Sequence, residues 1–366
     1  MNAAKSALIV YPFMPSYRYG IFSKLDRSIE FDFTFASDVT SDNGVPALPS
    51  SSVQRHILLK TRRLGGMTWQ KGLLPHLFKN RYDVVLFLGD VSHLSTWVAS
   101  AILRIGGSRV LYWTIGWHRP EAGLKRVVRL SFYRLANSLL LYGEMARTLG
   151  VQHGYPEERM SVIGNSHVAP DRVVNARVEA VSAVISDLPI VGAVIRLNEV
   201  KRLDLLLRAA AELKLRDDPI TVVFVGDGPA KTKLQSLAAQ LGVDARFLGA
   251  IYDADEISLL YTSIQVTVVP SAVGLTAIQS MHHGVPVVTD SDAHSQMPEW
   301  EAVRDGVTGG LFVPGDYVDL ADEISRWLNI TGTRRAAVAA QCRAEVEARW
   351  TPEVQALRIE EVLRGE

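Results

Sequence analysis

Short, continuously apolar runs alternate along this chain with longer segments in which apolar residues recur at helical spacing. A continuous apolar run bounded by turn residues is typical of a central strand in a parallel sheet, because such a strand is buried on both faces. The predicted strands are Ala7–Tyr11, Phe31–Ala36 (alternating, so half exposed), Asp83–Leu88, Val110–Trp113, Ser138–Leu141, Ser161–Ile163, Ile190–Ile195, Ile220–Val225, Phe247–Leu248, Val266–Val269 and Val285–Thr289. The predicted helices begin near Gly20 and Ser95 or span Ala122–Leu135, Leu203–Leu215, Pro229–Leu241, Asp253–Tyr261, Thr276–Gly284, Tyr317–Leu328, Arg334–Arg349 and Pro352–Arg364.

The alternation of strands and helices starts afresh after a weakly periodic stretch, residues 169–187, which we interpret as a linker. This pattern predicts an α/β protein of two Rossmann-like doubly wound domains that face each other across a cleft. The first domain is expected over residues 1–168 and the second over residues 188–351. The final helix, within residues 352–366, is a candidate to return to the first domain.

Composition narrows the class of protein. The chain has 366 residues, of which 48% are hydrophobic and 21% charged, and its formal net charge is zero. A neutral chain has no overall attraction to nucleic acid, and the single cysteine, Cys342, excludes a disulfide framework or a cysteine metal cluster. The N-terminus leads directly into the first strand, and no apolar run is long enough to cross a bilayer. We therefore expect a cytoplasmic protein.

Basic residues concentrate in two places in the first half. No acidic residue occurs from Gly44 to Tyr82, and the predicted helix Ala122–Leu135 carries Lys125, Arg126 and Arg129 among apolar residues. Such segments suit the anionic inner face of a membrane or an acidic acceptor, and a solvated basic surface explains them equally well. A peripheral location on the cell membrane therefore stays an open prediction.

The stretch Pro270–Asp290 has the pattern of a ligand-binding βαβ unit. A buried strand leads into a loop containing Gly274, a helix is predicted to start near Thr276 as cap residue, and a second buried strand follows. We expect Gly274 to let the backbone turn tightly and approach a ligand closely. Free backbone N–H groups at a helix N-terminus bind phosphate, so this loop predicts a site for a nucleotide diphosphate.

Several ordered segments of the second half resemble the sugar-nucleotide domain of family 4 of the retaining glycosyltransferases, which have the GT-B fold. The matching segments are G-A-V-I-R-L-N-E-V-K-R-L-D (192–204), V-G-D-G-P (225–229), F-L-G (247–249), Y-T-S-I-Q-V-T-V-V-P-S (261–271) and D-G-V-T-G-G-L-F-V (305–313). The resemblance implies that Arg196 and Lys201 bind the donor diphosphate. It also implies that the turn at Gly226 and the loop Gly274–Thr276, with Leu275, contact the nucleotide sugar.

The donor loop departs from the family in one respect. Family members usually carry two glutamates eight positions apart, one contacting the sugar and one the ribose, and Ser271 and Gln279 occupy these positions here. Gln279 is still able to hydrogen-bond a ribose, whereas Ser271 is too short to replace a carboxylate. In this respect the sequence resembles a bacterial subgroup of polysaccharide-assembly transferases.

Three residues of the first half are candidates for contacts at the active site. Tyr17 and Arg18 lie in the loop after the first strand, where an open α/β sheet presents its ligands, and are the acceptor-side candidates. Arg18 either meets an anion there or is a solvated loop arginine. The resemblance favours His118 as a histidine near the donor sugar, with packing at a loop edge as the alternative. Trp113 and Trp117 either stack on sugar or fill the core.

The resemblance implies an enzyme that moves a sugar from a nucleoside-diphosphate sugar to a glycan, lipid-linked or small-molecule acceptor with retention of configuration. No metal is expected, although Asp290-Ser-Asp292 forms a D-x-D pair, because cationic side chains already serve the phosphates. No other cofactor is expected either. The alternatives are a non-catalytic nucleotide-sugar-binding protein, suggested by the missing glutamates, and a sugar-nucleotide epimerase of the same fold.

Overall fold

The chain divides into two compact units. The computed structural model describes residues 4–41, 45–166 and 186–365. One unit comprises Met1–Val168 with Thr351–Glu366, and the other comprises Ala169–Trp350. The predicted linker lies almost entirely outside the described residues, with only Ser186 and Asp187 inside them.

The described part of the first unit contains a seven-stranded, wholly parallel sheet in the order β3-β2-β1-β6-β7-β8-β9, and a separate antiparallel hairpin of β4 and β5. Its elements in chain order are β1 Lys5–Phe13, α1 Tyr19–Asp26, β2 Phe31–Asp38, β3 His56–Leu58, β4 Lys60–Leu64, β5 Met67–Lys71, α2 Leu73–Lys79, β6 Val84–Leu88, α3 Leu94–Ile105, β7 Arg109–Thr114, α4 Gly123–Tyr133, β8 Ser138–Leu141, α5 Glu144–Gln152 and β9 Met160–Val162.

The central strand β1 shows why continuous apolar runs form this sheet. Leu8 and Val10 pack into the core on one face, and Ala7, Ile9 and Tyr11 pack into the core on the other. Side chains alternate between the two faces of a strand, so a strand covered on both faces requires apolar residues at every position.

The basic stretch Gly44–Tyr82 contains three elements that the hydrophobic pattern does not reveal: β3, the hairpin β4-β5 and helix α2. The hairpin alternates weakly, because most of its residues are exposed and polar. Its turn at Gly65 and Gly66 has positive φ at both residues, as a tight hairpin turn requires.

The described part of the second unit contains a six-stranded parallel sheet in the order β12-β11-β10-β13-β14-β15. Its elements are β10 Ile190–Val194, α6 Leu203–Leu215, β11 Thr221–Val225, α7 Lys231–Leu241, β12 Ala245–Phe247, α8 Ala254–Ser263, β13 Val266–Val268, α9 Leu275–His282, β14 Val287–Asp290, β15 Gly309–Phe312, α10 Tyr317–Leu328 and α11 Gly332–Arg349. In each unit the strand order reverses beside the first strand, which is the doubly wound Rossmann-like arrangement and confirms the predicted fold class.

The last helix, α12 (Pro352–Arg364), belongs to the first unit. Thr351 caps it by accepting a hydrogen bond from the Val354 N–H, and Pro352 suits its first turn. Arg109 at the start of β7 donates to the carbonyl oxygens of Leu363 (2.7 Å) and Val362 (2.9 Å), which satisfies acceptors that the end of a helix leaves free. Within the described residues, no helix combines the length and the apolar composition needed to span a bilayer.

Candidate functional site

The second unit has its ligand-binding edge where β10 and β13 lie side by side. The chain leaves these adjacent parallel strands toward opposite sides of the sheet, because β11 follows β10 on one side and β14 follows β13 on the other. The loops after both strands therefore separate and leave a crevice at the carboxyl edge of the sheet. Residues 195–202 follow β10, and residues 269–274 follow β13.

Two glycines hold the loop after β10 in place. A Cβ atom on Gly226 would lie 2.0 Å from the Ile195 carbonyl oxygen, and one on Gly228 would lie 2.2 Å from that of Leu197. The close approach allows the Ile195 N–H to donate to the Val225 carbonyl (2.9 Å). Gly226 therefore contributes to the site by allowing this packing, because no side chain fits between the two segments.

Lys201 connects the loop after β10 to the loop after β13. Its backbone carbonyl accepts a hydrogen bond from the Ser271 N–H (3.2 Å), and its Nζ donates to the Ala272 carbonyl oxygen. Burial lowers the pKa of Lys201, and the nearby carboxylate of Glu299 opposes this shift. The hydrogen bond to Ala272 ties the Lys201 ammonium group to the loop that leads into α9, a helix whose first backbone N–H groups have no acceptor within the helix.

The geometry around Gly274 differs from the prediction. Gly274 has φ −121° and ψ −142°, and a Cβ there would meet other atoms only at ordinary contact distances of 3.8 Å or more. The strained residue in this loop is Ala272, with φ +50°. The positive φ of this loop therefore lies two residues before Gly274, and the close approach of a ligand to Gly274 stays a prediction.

Thr276 is not the cap of α9, since the helix starts at Leu275 and Gly274 takes the cap position. The Thr276 hydroxyl instead donates to the Val194 carbonyl at the end of β10 (2.8 Å). This hydrogen bond fixes the first turn of α9 against the neighbouring strand. The Thr276 hydroxyl therefore already has a hydrogen-bond acceptor within the protein.

Gln296 supports the donor loop and escaped the sequence analysis as a site residue. Its Oε1 accepts from the Val273 N–H (2.7 Å), and its Nε2 donates to Thr289 Oγ1 (2.8 Å) and Asp290 Oδ1 (2.8 Å). The side chain is buried, so all of these bonds form away from water. The signal in the sequence is its position just beyond β14, in a polar segment at the carboxyl edge of the sheet.

The remaining donor-side candidates occupy the same edge of the unit with different exposure. Arg196 is exposed in the loop after β10, and Gln279 and Leu275 are half buried on α9. Ser271 is buried, and its hydroxyl donates to Ser295 Oγ (3.4 Å).

The carboxylates of the D-x-D pair already accept hydrogen bonds from their own neighbourhood. Asp290 Oδ1 accepts from Gln296 and from the Asp292 N–H (3.1 Å), and Asp292 Oδ1 accepts from the His294 N–H (3.1 Å). Burial raises the pKa of Asp290, which these hydrogen bonds partly offset.

The acceptor-side candidates lie in the first unit, after β1. Arg18 is only 5% exposed, so the alternative of a solvated loop arginine is wrong. Its Nη2 donates to the hydroxyl of Tyr142, which follows β8. Tyr17 is 42% exposed.

His118 is half buried in the loop after β7. Burial lowers the pKa of His118, and the neighbouring cations Arg129 and Arg119 lower it further, so the imidazole is neutral at pH 7. Trp113 and Trp117 are fully buried, and Trp117 packs edge-on against Tyr133. Both tryptophans therefore fill the core.

Sequence comparisons relate the chain to known glycosyltransferases. Residues 177–342 match the family model described as Glycosyl transferases group 1. D-inositol 3-phosphate glycosyltransferase of Mycolicibacterium smegmatis is 29% identical over 306 residues, which cover 79% of this chain and 64% of that protein. The enzyme of the same name from Nocardia farcinica is 32% identical over 278 residues, which cover 71% and 57%. The chain thus spans 57–64% of the length of these curated relatives.

Structural comparisons extend over the whole chain. Anabaena Alr3699/HepE in complex with UDP-glucose superposes with a TM-score of 0.75 at 18% identity, covering 99% of this chain and 100% of that one. The lipopolysaccharide outer core galactosyltransferase WaaB superposes with a TM-score of 0.72 at 13% identity, covering 99% of each. Identities this low show the fold alone. The protein therefore has the GT-B fold of two Rossmann-like units, and its residues 177–342 are similar to the Glycosyl transferases group 1.

Proposed function

We propose that this protein is a metal-independent, retaining glycosyltransferase that uses a nucleoside-diphosphate sugar as donor. The observation that carries the proposal is the hydrogen bond from the Lys201 ammonium group to the Ala272 carbonyl, in the loop that leads into α9 at the carboxyl edge of the second sheet. The names of the relatives support the reaction class, and the UDP-glucose complex of Alr3699/HepE supports a sugar nucleotide as donor.

The chemistry of glycosyl transfer explains why a cation belongs at this position. Breaking the bond between the sugar and the diphosphate leaves negative charge on the departing oxygen, and that charge is greatest in the transition state. A fixed ammonium group and a helix N-terminus therefore stabilise the transition state more than the bound donor. Arg196, exposed in the same loop, adds a guanidinium group that is able to hold phosphate with two parallel N–H bonds.

The other donor-side residues take supporting roles in this proposal. Gln279, half buried on α9, hydrogen-bonds the ribose, and the backbone of Gly274 and Leu275 faces the diphosphate. Ser271 lies where the family places a glutamate that contacts the sugar. His118, whose lowered pKa favours the neutral imidazole, serves as a hydrogen-bonding partner for the donor sugar rather than as a further cation.

Metal independence follows in this proposal from the cations and from the D-x-D pair. Lys201 and Arg196 supply the positive charge that a divalent ion provides to the diphosphate in other transferases. The carboxylate of Asp290 is turned toward Gln296, with which it shares a 2.8 Å hydrogen bond. Turnover unchanged by EDTA is the expected result, and turnover restored only by Mg²⁺ or Mn²⁺ contradicts this part of the proposal.

A double variant tests the donor site. Arg196→Ala with Lys201→Ala should lower turnover at least about 1,000-fold, since loss of one transition-state donor typically costs 100- to 1,000-fold. The control is Arg208→Ala with Lys79→Ala, which also removes two positive charges, both from exposed positions on helices. Normal turnover in Arg196→Ala with Lys201→Ala would contradict the proposed mechanism. Equal losses of turnover in the two double variants would show that the overall charge, and not the donor site, is responsible.

A nucleotide-sugar-binding protein without transferase activity is the second candidate. The observation that favours it is Ser271, whose hydroxyl is buried against Ser295 where the family has a carboxylate. Calorimetric binding of nucleotide sugars combined with transfer assays separates the two candidates. Tight binding with no product on glycan, lipid-linked or small-molecule acceptors supports the binding protein.

A peripheral location on the inner face of the cell membrane is part of the proposal. The first turns of α4 expose Leu124 (78%), Val127 (58%) and Val128 (37%) together with the basic residues Lys125 and Arg126. Exposed apolar and basic side chains on one helix suit anionic lipid. Flotation with anionic vesicles and not with neutral ones is expected, and Leu124→Ser with Val127→Ser should abolish it. Absence of binding to both vesicle types rejects the location.

A further inference from the structure

The guanidinium group of Arg18 is enclosed by aromatic rings. Its Cζ atom lies 5.1 Å from the ring centres of both Trp113 and Tyr142, 5.7 Å from that of Tyr17 and 5.9 Å from that of Tyr11. Aromatic faces attract a cation, which offsets part of the cost of removing it from water. They provide no oxygen atoms to accept its N–H groups.

Three buried polar groups in this cluster lack a hydrogen-bond partner: the Tyr11 hydroxyl, Arg18 Nη1 and Trp113 Nε1. Arg18 Nη2 donates to the Tyr142 hydroxyl, but Arg18 Nη1 has no hydrogen-bond partner, and neither has Trp113 Nε1. Arg18 is 95% buried, and Trp113 is fully buried. Among the described residues, no carboxylate forms an ion pair with Arg18. Buried donors without acceptors are unfavourable, and a positive charge makes the penalty larger.

The cluster lies where this fold binds ligands. Tyr17 and Arg18 follow β1, Trp113 is near the end of β7, and Tyr142 directly follows β8. All three strands are parallel members of one sheet, so their carboxyl ends meet at the same edge. Tyr17 is the exposed member of the cluster, and its ring centre lies 5.7 Å from the guanidinium carbon.

We propose that Arg18 Nη1 and Trp113 Nε1 bind an oxyanion of the acceptor, a phosphate or a carboxylate group, which enters beside Tyr17. An oxyanion supplies the acceptors that both donors lack and neutralises the buried charge, and a guanidinium group binds either kind strongly. Only the identification of this anion as part of an acceptor rests on the proposed transferase function. The subsite is formed by residues of the first unit alone.

The first experiment measures anion binding on the wild-type protein. Inorganic phosphate, and separately acetate, is titrated into ¹⁵N-labelled protein at constant ionic strength with chloride as reference. The Trp113 indole N–H resonance, assigned by its absence in Trp113→Phe, is expected to shift saturably with at least one of the two anions. A resonance that neither anion moves overturns the proposal, and the titration itself uses only the wild-type protein.

Variants of Arg18 then identify the guanidinium group as the binding element. Arg18→Gln should abolish the saturable shift, and Arg18→Lys should retain a weaker one. Arg27→Gln is the matched control, because Arg27 is exposed at the end of α1, close to Arg18 in sequence. An anion-induced shift that persists unchanged in Arg18→Gln also overturns the proposal.

Transfer assays distinguish this inference from the proposed function. Inositol, an inositol monophosphate and a uronic acid serve as acceptor probes, and binding of UDP is measured in parallel. Arg18→Gln should lower kcat/KM for the anionic acceptor that is used about 10- to 100-fold more than kcat/KM for inositol. The affinity for UDP should stay unchanged. Anion binding at Arg18 without transfer to any acceptor refutes the proposed transferase function, while the proposed anion subsite remains supported. Transfer to all three probes with equal kcat/KM refutes the subsite and leaves the transferase.

Discussion

Replacing Gly226 with alanine tests whether the loop that carries Arg196 depends on the approach of two backbone segments. The new Cβ would lie 2.0 Å from the Ile195 carbonyl oxygen and 2.8 Å from its carbon. Both distances are far shorter than a normal contact, and both atoms belong to backbone, so the loop has to move by about 1 Å or more.

The expected cost has two parts. The Gly226 φ of +148° is unfavourable for alanine by about 1–3 kcal/mol, and overpacking adds about 1–3 kcal/mol, which together give about 2–6 kcal/mol. Gly249 provides the matched control. Its φ is +78°, a Cβ there would have no atom within 4 Å, and its carbonyl accepts from the Gly226 N–H (2.7 Å). Gly249→Ala should therefore cost only about 1–2 kcal/mol.

The assay combines urea unfolding with calorimetric titration of UDP. Gly226→Ala should lower the urea midpoint well below that of Gly249→Ala at similar slope, because the folded state alone is strained. It should also weaken UDP binding at least about tenfold, since Ile195 is directly followed by Arg196 in the proposed donor site. Equal urea midpoints and equal UDP affinities for the two variants would refute the reasoning.

Three further predictions concern single side chains. Burial lowers the pKa of Lys201 below its usual 10.5, so turnover should begin to decline at a pH below 10.5. Lys201→Arg should move this decline to higher pH. An alkaline limb of the pH profile that the variant leaves unchanged contradicts a role for this cation. Gln296→Leu leaves the buried Val273 N–H and the Asp290 carboxylate without this partner, and should lower the free energy of unfolding in urea by about 2–4 kcal/mol. The control, Gln240→Leu at an exposed position, should lower it by less than about 0.5 kcal/mol. Similar losses in the two variants reject the supporting role. Burial raises the pKa of Cys342 to about 12, so a thiol reagent should modify it only as fast as the protein unfolds, and rapid modification of native protein is the contrary result.

Local periodicity was enough to predict most regular elements. The helices α6, α10 and α12 have the bounds that the hydrophobic pattern indicates, because each buries one face against a sheet or a neighbouring helix. The hairpin β4-β5 was missed because β4 is mostly exposed and polar and because the residues that β5 buries, Thr68 and Gln70, are polar.

The residues of the candidate site were only partly accessible to the same reasoning. The sequence by itself determined the βα order, most strands of the two units and the position of Lys201 after β10, since these depend on neighbours along the chain. Only the tertiary structure decided that Lys201 bonds Ala272, 71 positions away, that Gln296 holds the same loop at Val273, and that Arg18 is buried among aromatic rings. Such contacts join segments distant in sequence, and no local pattern records which backbone oxygen a side chain will reach once the strands have paired.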